Sequence, residues 1–106
     1  MSVFAAFRYE VQPGRFADFM AKLGEAASPK FDSPVMPKSV KLLRSAVPRP
    51  DTGGITLLIE YEDMAAYGRR TAFENANAEW RALFKAQPDS PERLISVELF
   101  TEVSPG

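Results

Sequence analysis

The side chains best suited to chemistry gather in the second of two helical segments. Tyr67 can donate a phenolic hydrogen bond to a bound carbonyl or quinone. Arg70, or its neighbour Arg69, can hold a carboxylate or an enolate. Asn75 offers an amide that can orient a substrate oxygen, and Trp80, the one tryptophan, can form the aromatic wall of a pocket.

Each of these residues also has a purely structural interpretation. Large aromatic side chains mostly pack, so Trp80 can anchor the core and Tyr67 can be half-buried with a solvated hydroxyl. An adjacent arginine pair on a helix usually belongs to a solvated face, and Asn77 suits a helix cap better than a binding site. The sequence therefore gives Tyr67, Arg70, Asn75 and Trp80 as ligand-binding candidates and identifies no catalytic residue.

Two residue types are missing from the 106 residues: cysteine and histidine. Without cysteine, disulfide scaffolds, thiol catalysis and zinc–thiolate sites are excluded. Without histidine, the commonest general base and metal ligand is gone. The net charge of −1 is not the strongly basic charge that is typical of a nucleic-acid-binding domain. We therefore expect no metal, no cofactor and no nucleic-acid partner.

No segment of the sequence resembles a targeting signal or a membrane anchor. Residues 1–11 lack a basic start, and Arg8 and Glu10 interrupt their apolar run, which argues against a signal peptide. No stretch approaches the roughly 18 consecutive apolar residues of a membrane span. The length fits one domain, over 1–106. We expect a cytoplasmic protein that does not bind membranes.

Hydrophobic periodicity divides the chain into strands and helices. Residues 3–11 alternate with a period of two, which predicts a strand, whereas the residues after Pro13-Gly14 follow a helical period until Pro29. The predicted strands are 3–11, 40–47, 55–61 and 93–103, the helical segments are 15–28 and 63–87, and a turn covers 48–54. In the last strand, Ile95, Val97 and Leu99 are expected on one side, and Leu94, Ser96, Glu98 and Phe100 on the other.

The second helical segment carries two apolar stripes that a single straight helix cannot bury against one sheet. Asp63 is a plausible N-cap, and Asn77 could cap a second piece. We predict helices over 63–74 and 78–87 with a break near 75–77. The first stripe is Met64, Tyr67 and Thr71, and the second is Trp80, Leu83 and Phe84. The alternative is a continuous helix that buries Phe73, Ala76, Trp80 and Phe84 and exposes Met64 and Tyr67.

The connection over 28–39 is long for so small a domain and holds three prolines. Phe31, Val35 and Met36 are its apolar attachments to the core. It is either a lid or partner-facing loop, or a proline-stiffened loop that is simply pinned by those three side chains.

The element order β-α-β-β-α-β predicts a ferredoxin-like α+β fold, with the first and third strands central and the helices on one face. Charged and apolar residues share the other face of the sheet. An apolar patch of this kind is usually covered, and a second copy of the same sheet is the simplest cover, so we expect a homodimer. The patch consists of Phe4, Ala6, Leu58, Leu94 and Phe100.

Three short motifs in this order resemble the dimeric α+β barrel superfamily, and within it the NIPSNAP and antibiotic-biosynthesis-monooxygenase proteins. They are Pro13-Gly14 before a helix, Asp63-x-x-Ala-Tyr67, and Asn77-Ala-Glu-Trp-Arg-Ala-Leu-Phe84. Relatives often have proline where this chain has Ala78, another good first helical residue. The resemblance implies a homodimeric barrel with a pocket in each subunit, between sheet and helices, for a polyketide-like aromatic, a small lactone or haem.

The missing histidine narrows what the resemblance implies. Haem-degrading relatives bind iron through a helix histidine, so a haem enzyme of that type and histidine-based isomerase chemistry are disfavoured. The hypothesis is a homodimer that binds a small apolar or aromatic ligand and acts as a cofactor-independent monooxygenase on an aromatic or polyketide-like substrate. The alternative is a non-catalytic ligand- or partner-binding domain, in which Phe31, Met36, Phe73 and Trp80 fill the space that a catalyst would line with polar groups.

Overall fold

The computed structural model describes residues 1–47 and 54–103. Its strands are β1 (Val3–Val11), β2 (Ser39–Arg44), β3 (Gly54–Tyr61) and β4 (Glu92–Thr101). Its helices are α1 (Phe16–Ala26), α2 (Met64–Ala76) and α3 (Ala78–Phe84), with a short 3-10 turn over Pro29–Phe31. The turn expected over 48–54 lies outside the described residues except for Gly54, which begins β3.

The four strands form one antiparallel sheet in the order β2-β3-β1-β4, so the first and third strands are central, as predicted. Tyr61 and Thr101 lie opposite Val3 on the two neighbouring strands, and this register sets which side chains share a side. The helices pack on one side, here called the helix-covered side, and the other is the open side. The helix-covered side carries Val3, Ala5, Phe7, Tyr9 and Val11 of β1 and Ile55, Leu57, Ile59 and Tyr61 of β3.

The predicted alternation of side chains in β4 is wrong near the start of the strand, because β4 contains a bulge there. The pairing with β1 shifts between Arg8 and Tyr9, so that Leu94 pairs with Tyr9 and Ser96 with Arg8. Leu94 is therefore on the helix-covered side, and the extra residue, Ile95, lies beside Arg8 on the open side. The prediction placed these two residues on the opposite sides of the sheet. It did so because the alternation of residues along a strand does not reveal a bulge.

Two buried clusters on the helix-covered side form the core. Phe19 of α1 packs on Tyr9, Val11 and Ile55, and Ala66 of α2 packs on Ala5 and Tyr61. The helices thus cover the two central strands. The edge strands β2 and β4 remain largely exposed on both sides.

The break in the second helical segment occurs where it was predicted. Asp63 accepts a hydrogen bond from the Ala66 N–H at 2.7 Å and caps α2, and Asn77 accepts from the Trp80 N–H at 3.0 Å and caps α3. Each such cap contributes about 1 kcal/mol to its helix. The predicted first stripe is wrong in one respect, since Met64 is 52% exposed and the residues that α2 buries fully are Ala66 and Arg70.

Candidate functional site

Arg70 is the centre of the site, because its side chain is charged and only 3% of the residue is exposed. Its Nε donates to Glu74 Oε2 at 2.9 Å, one helical turn further along α2. Its Nη1 donates to the Phe31 carbonyl at 2.7 Å and to Ser33 Oγ at 3.1 Å, and it contacts Met36 Sδ at 3.3 Å. One guanidinium therefore holds the loop over 28–39 against α2.

Aromatic rings surround the same guanidinium. The Arg70 Cζ lies 4.8 Å from the centre of the Phe73 ring and 5.4 Å from that of Trp80, within the range of a cation–π contact. Trp80 meets Phe31 edge to face at 5.1 Å and lies tilted against Phe84 at 4.9 Å. Within the described residues Arg70 Nη2 donates no hydrogen bond, so this nitrogen still has N–H groups for a bound molecule.

The loop over 28–39 supplies part of this cluster. Phe31 is fully buried, and Val35 packs on the core cluster around Tyr61. Met36 is about half-exposed, although its sulfur contacts Arg70. Two of the three predicted attachments therefore reach the core, and the third is fixed through its sulfur atom.

The structure brings two of the four candidate residues together. Arg70 and Trp80 are in contact, whereas Tyr67 is half-buried and packs edge to face on Tyr61, with ring centres 5.4 Å apart. Asn75 is exposed near the end of α2. Ligand binding by these four residues stays a prediction, with Arg70 and Trp80 in the interior.

Sequence reasoning missed three residues on the helix-covered side. Tyr9 packs on Phe19 of α1, Tyr61 packs on Ala66 of α2, and Glu74 is a residue of α2. Burial raises the pKa of Tyr9 to about 12, with further increases from the charges of Glu92 and Glu74. The pKa of Tyr61 is also raised, first by burial and then by Glu74. The one available signal was the spacing of Glu74, four residues after Arg70 on a helix.

Glu74 itself is in a low-polarity environment. Burial raises the pKa of its carboxyl group, and the hydrogen bond and charge of Arg70 oppose that increase. The Glu74 side chain is 19% exposed, compared with 4% for that of Arg70. Its carboxylate is thus a hydrogen-bond acceptor at the edge of the interior.

A second buried ion pair connects α1 to β4. Lys22 Nζ donates to both carboxylate oxygens of Glu92, at 2.8 and 3.1 Å, and lies 5.4 Å from the centre of the Phe84 ring. Both charged side chains are mostly buried. The pair holds α1 and α3 over the first residue of β4.

Two ion pairs on the open side are solvent-exposed. Arg8 pairs with Glu98 at 2.9 Å and Arg93 with Glu10 at 3.5 Å, both between β1 and β4. A shallow groove of about 210 Å³ crosses this side beside Arg8 and Ile95. Of the apolar patch expected here, Leu94 is on the other side of the sheet, and Phe4, Ala6, Leu58 and Phe100 remain.

Residues 1–47 and 54–103 contain no group of three acidic side chains placed to hold an ion. Over the same residues, no helix has both the length and the apolar character needed to cross a bilayer.

Solved structures with this arrangement match nearly the whole chain. An antibiotic biosynthesis monooxygenase-like protein from Bordetella bronchiseptica is 26% identical, with 97% of this chain and 98% of that chain covered and a TM-score of 0.65. A NIPSNAP-like domain protein from Burkholderia xenovorans is 19% identical, covering 99% and 88%, with a TM-score of 0.67. SnoaB, a cofactor-independent oxygenase from Streptomyces nogalater, is 22% identical, covering 99% and 98%, with a TM-score of 0.61. No family model and no curated protein matches the sequence.

The chain has the ferredoxin-like α+β fold of these proteins. The resemblance inferred from three short motifs is thereby confirmed. Within this fold, the Arg70 guanidinium has two aromatic rings, Phe73 and Trp80, and the Glu74 carboxylate against it, and two phenols are buried on the helix-covered side. Such a mixture of apolar walls and a few fixed polar groups is typical of small-molecule sites.

Proposed function

We propose that the protein is a homodimer that binds a small aromatic or polyketide-like molecule between its sheet and helices and oxygenates it without a cofactor. The observation that carries the proposal is the Arg70–Trp80 cluster, a guanidinium among aromatic rings whose Nη2 has no hydrogen-bond partner in residues 1–47 and 54–103. It occurs in a fold shared over nearly the whole chain with a cofactor-independent oxygenase. The fold alone would not be sufficient, since one fold supports many functions.

The proposed chemistry places few demands on the protein. An electron-rich phenol reacts with O₂ so that a ring C–H becomes a quinone carbonyl. One oxygen atom enters the product and the other leaves as water, which balances one phenol against one O₂. The substrate supplies the electrons, and the protein supplies a water-poor site and hydrogen-bond donors.

Each candidate residue has a defined part in this proposal. Trp80 packs against the substrate ring, and Arg70 Nη2 stabilises the negative oxygen that develops as the phenol loses its proton. Tyr67 and Asn75 act at the entrance, where their side chains keep access to solvent. The ligand enters by displacing part of the loop over 28–39.

The open side of the sheet is the proposed dimer interface. Its apolar residues include Phe4, Ala6, Leu58, Ile95 and Phe100, of which Ile95 and Phe100 are about half-exposed. Charges of both signs lie beside them, in the pairs Arg8–Glu98 and Glu10–Arg93. A surface with both charge signs and a central apolar strip can be self-complementary, as a twofold interface requires.

A second candidate is a non-catalytic binding domain, and one observation favours it. Phe31 fills the space beside Trp80, and Met36 and Phe73 contact the Arg70 guanidinium. This is the packing expected if the interior is closed rather than lined for catalysis. The two candidates differ in whether a bound aromatic consumes O₂.

Two measurements test the proposal. Phenols and hydroquinones are titrated while Trp80 fluorescence is recorded, and any ligand that binds is then followed with an oxygen electrode and by quinone absorbance. We expect saturable quenching and equal consumption of O₂ and phenol. Oxygen consumption should be reduced at least tenfold in Arg70→Lys, whose single ammonium cannot bond to Glu74 and the Phe31 carbonyl and also reach the ligand. Arg69→Lys is the matched control.

The results separate the candidates. Binding without O₂ consumption supports the non-catalytic domain, and the absence of saturable binding contradicts both. Light scattering at micromolar concentration tests the dimer separately, where the mass of one chain would contradict it.

A further inference from the structure

Hydrogen-bond donors surround the sulfur atom of Met36. Arg70 Nη1 donates to it at 3.3 Å, the Ser33 N–H donates to it at 3.4 Å, and the Ser33 hydroxyl lies 4.0 Å away. A thioether sulfur is a weak acceptor, and methionine usually packs as an apolar side chain. Here the sulfur instead forms a polar attachment of the loop over 28–39 to α2.

Two methionines on helices provide a comparison. Met20 of α1 is 38% exposed and Met64 of α2 is 52% exposed, and Met36, at 46%, lies between them. Over residues 1–47 and 54–103, the hydrogen bonds to sulfur are all made to Met36. The three side chains are therefore similarly open to solvent, but in this part of the chain only the sulfur of Met36 connects two segments of the fold.

Oxidation changes the polarity of a thioether. A peroxide transfers one oxygen atom to the sulfur, which becomes a sulfoxide, and the peroxide is itself reduced to water. The new S–O bond is polar, with its positive end on the sulfur. A flexible apolar side chain is thereby converted into a polar one, at a point where a cation and a backbone N–H already lie against the sulfur.

Neither orientation of the new oxygen fits the present contacts of Met36. An oxygen that points at Arg70 needs roughly 2.7 Å to the nitrogen in addition to its own bond to sulfur, so the gap of 3.3 Å is too short. An oxygen that points away leaves the positive end of the S–O bond against the guanidinium cation. In both cases Met36 must move away from Arg70.

We infer that Met36 is an oxidative modification site, at which conversion to the sulfoxide by a peroxide loosens the loop over 28–39 from Arg70. The nitrogen that contacts the sulfur, Nη1, also donates to the Phe31 carbonyl and to Ser33 Oγ, so a displaced Met36 disturbs the atom that holds the whole loop. Methionine sulfoxide reductases restore the thioether, which makes the change reversible. The inference goes beyond the proposed function, because it requires neither a bound aromatic molecule nor oxygenase activity.

The test compares two proteins that differ in which methionines can be oxidised. One carries Met20→Leu and Met64→Leu and keeps Met36, and the matched protein carries Met36→Leu and keeps the other two. Met1 is present in both, and leucine replaces methionine with little change in volume. Each protein is treated with dilute hydrogen peroxide, and peptide mass spectrometry measures the sulfoxide at each position. Amide hydrogen exchange over residues 28–39 is measured before and after treatment.

We expect Met36 to be oxidised at a rate similar to that of the two helical methionines, because their exposures are similar. In the protein that keeps Met36, oxidation should speed amide exchange over residues 28–39 about fivefold, the value of one lost hydrogen bond. Acrylamide quenching of Trp80 fluorescence should increase in the same sample, because Phe31 of the loop packs on that ring. Peroxide should change neither quantity in the Met36→Leu protein, and a methionine sulfoxide reductase should reverse both changes where Met36 is kept.

Each other outcome overturns the inference. Unchanged or slower exchange after oxidation of Met36 would show that Arg70 holds the sulfoxide as well as it holds the thioether. An equal increase in the Met36→Leu protein would assign the effect to a different residue. Resistance of Met36 to peroxide, while the two helical methionines react, would show that its sulfur is not accessible. The proposed function is tested separately by phenol binding, so it does not depend on any of these results.

Discussion

The two sides of the sheet both contain ion pairs, but in different surroundings. On the helix-covered side, the Arg70–Glu74 side chains are 4% and 19% exposed and the Lys22–Glu92 side chains are 11% and 7% exposed. On the open side, the Arg8–Glu98 side chains are 52% and 46% exposed.

This difference determines what each pair can contribute. Water screens the exposed charges, so an open-side pair contributes little to stability. A buried charge that loses its partner is costly, because neither water nor another group replaces it. The comparison therefore predicts a steep decrease in mutational effect from one side of the sheet to the other.

The largest effect should come from Arg70. Arg70→Met removes the donor to the Phe31 carbonyl and leaves the Glu74 carboxylate without its cation, so we expect a loss of about 4 kcal/mol in the free energy of unfolding. Arg69→Met, at the exposed neighbouring position, is the matched control and should change it by less than about 0.5 kcal/mol. Urea denaturation measures the free energy of unfolding of both variants. A loss in Arg70→Met no greater than that in Arg69→Met would show that the loop does not depend on this side chain.

Lys22 should rank second. Lys22→Met removes the ammonium that lies over the Phe84 ring and leaves Glu92 mostly buried and unpaired. We expect a loss of about 3 kcal/mol in the free energy of unfolding near neutral pH. The double change to Lys22→Met with Glu92→Leu should recover most of that loss, because it removes both charges. If the double variant does not recover the lost free energy of unfolding, the contribution of the pair comes from the packing of its side chains rather than from charge compensation.

Much of this arrangement could be predicted from local sequence. The alternation over 3–11 and the helical period after Pro13-Gly14 gave the correct elements, and Asn77 placed the break between α2 and α3. These features depend on short-range chemistry: side-chain period, capping and the restrictions of proline.

Features that depend on contacts between distant parts of the chain could not be predicted. The bulge at Ile95 depends on how β4 meets β1. The sequence singles out Arg70 only as one of two adjacent arginines, and its burial results from a loop 37 residues earlier in the chain, at Ser33. The burial of Tyr9 and Tyr61 and the partial burial of Glu74 likewise require the fold, so these polar residues were missed.

Alkaline pH gives an intermediate effect on the helix-covered side. The pKa of Tyr9 is raised from its ordinary value of 10.0 to about 12, so the folded state retains a proton that the unfolded chain releases. The stability associated with Tyr9 is therefore fully present below pH 10 and is lost as pH rises through 12. The causes are burial first, then the charges of Glu92 and Glu74.

Tyr9→Phe isolates this contribution. Relative to the wild-type protein, the variant should gain about 2 kcal/mol in unfolding free energy between pH 7 and pH 12, because it has no phenol to ionise. Urea denaturation at both pH values, with phenolate absorbance recorded in parallel, gives the difference. An identical pH dependence in both proteins would place the Tyr9 hydroxyl in water.

The smallest effect is expected on the open side, and it also reports on the proposed dimer. In a double-mutant cycle of Arg8→Ala and Glu98→Ala, at concentrations where light scattering shows single chains, the coupling energy should be below about 0.5 kcal/mol. Added salt should reduce it further, since both side chains are solvated. At higher concentrations the proposed interface encloses the pair, so the coupling energy should increase and depend less on salt.

Two outcomes would contradict these expectations. A coupling energy above about 2 kcal/mol in single chains would contradict the contrast between the two sides of the sheet. A coupling energy that stays small at every concentration would place the dimer interface elsewhere.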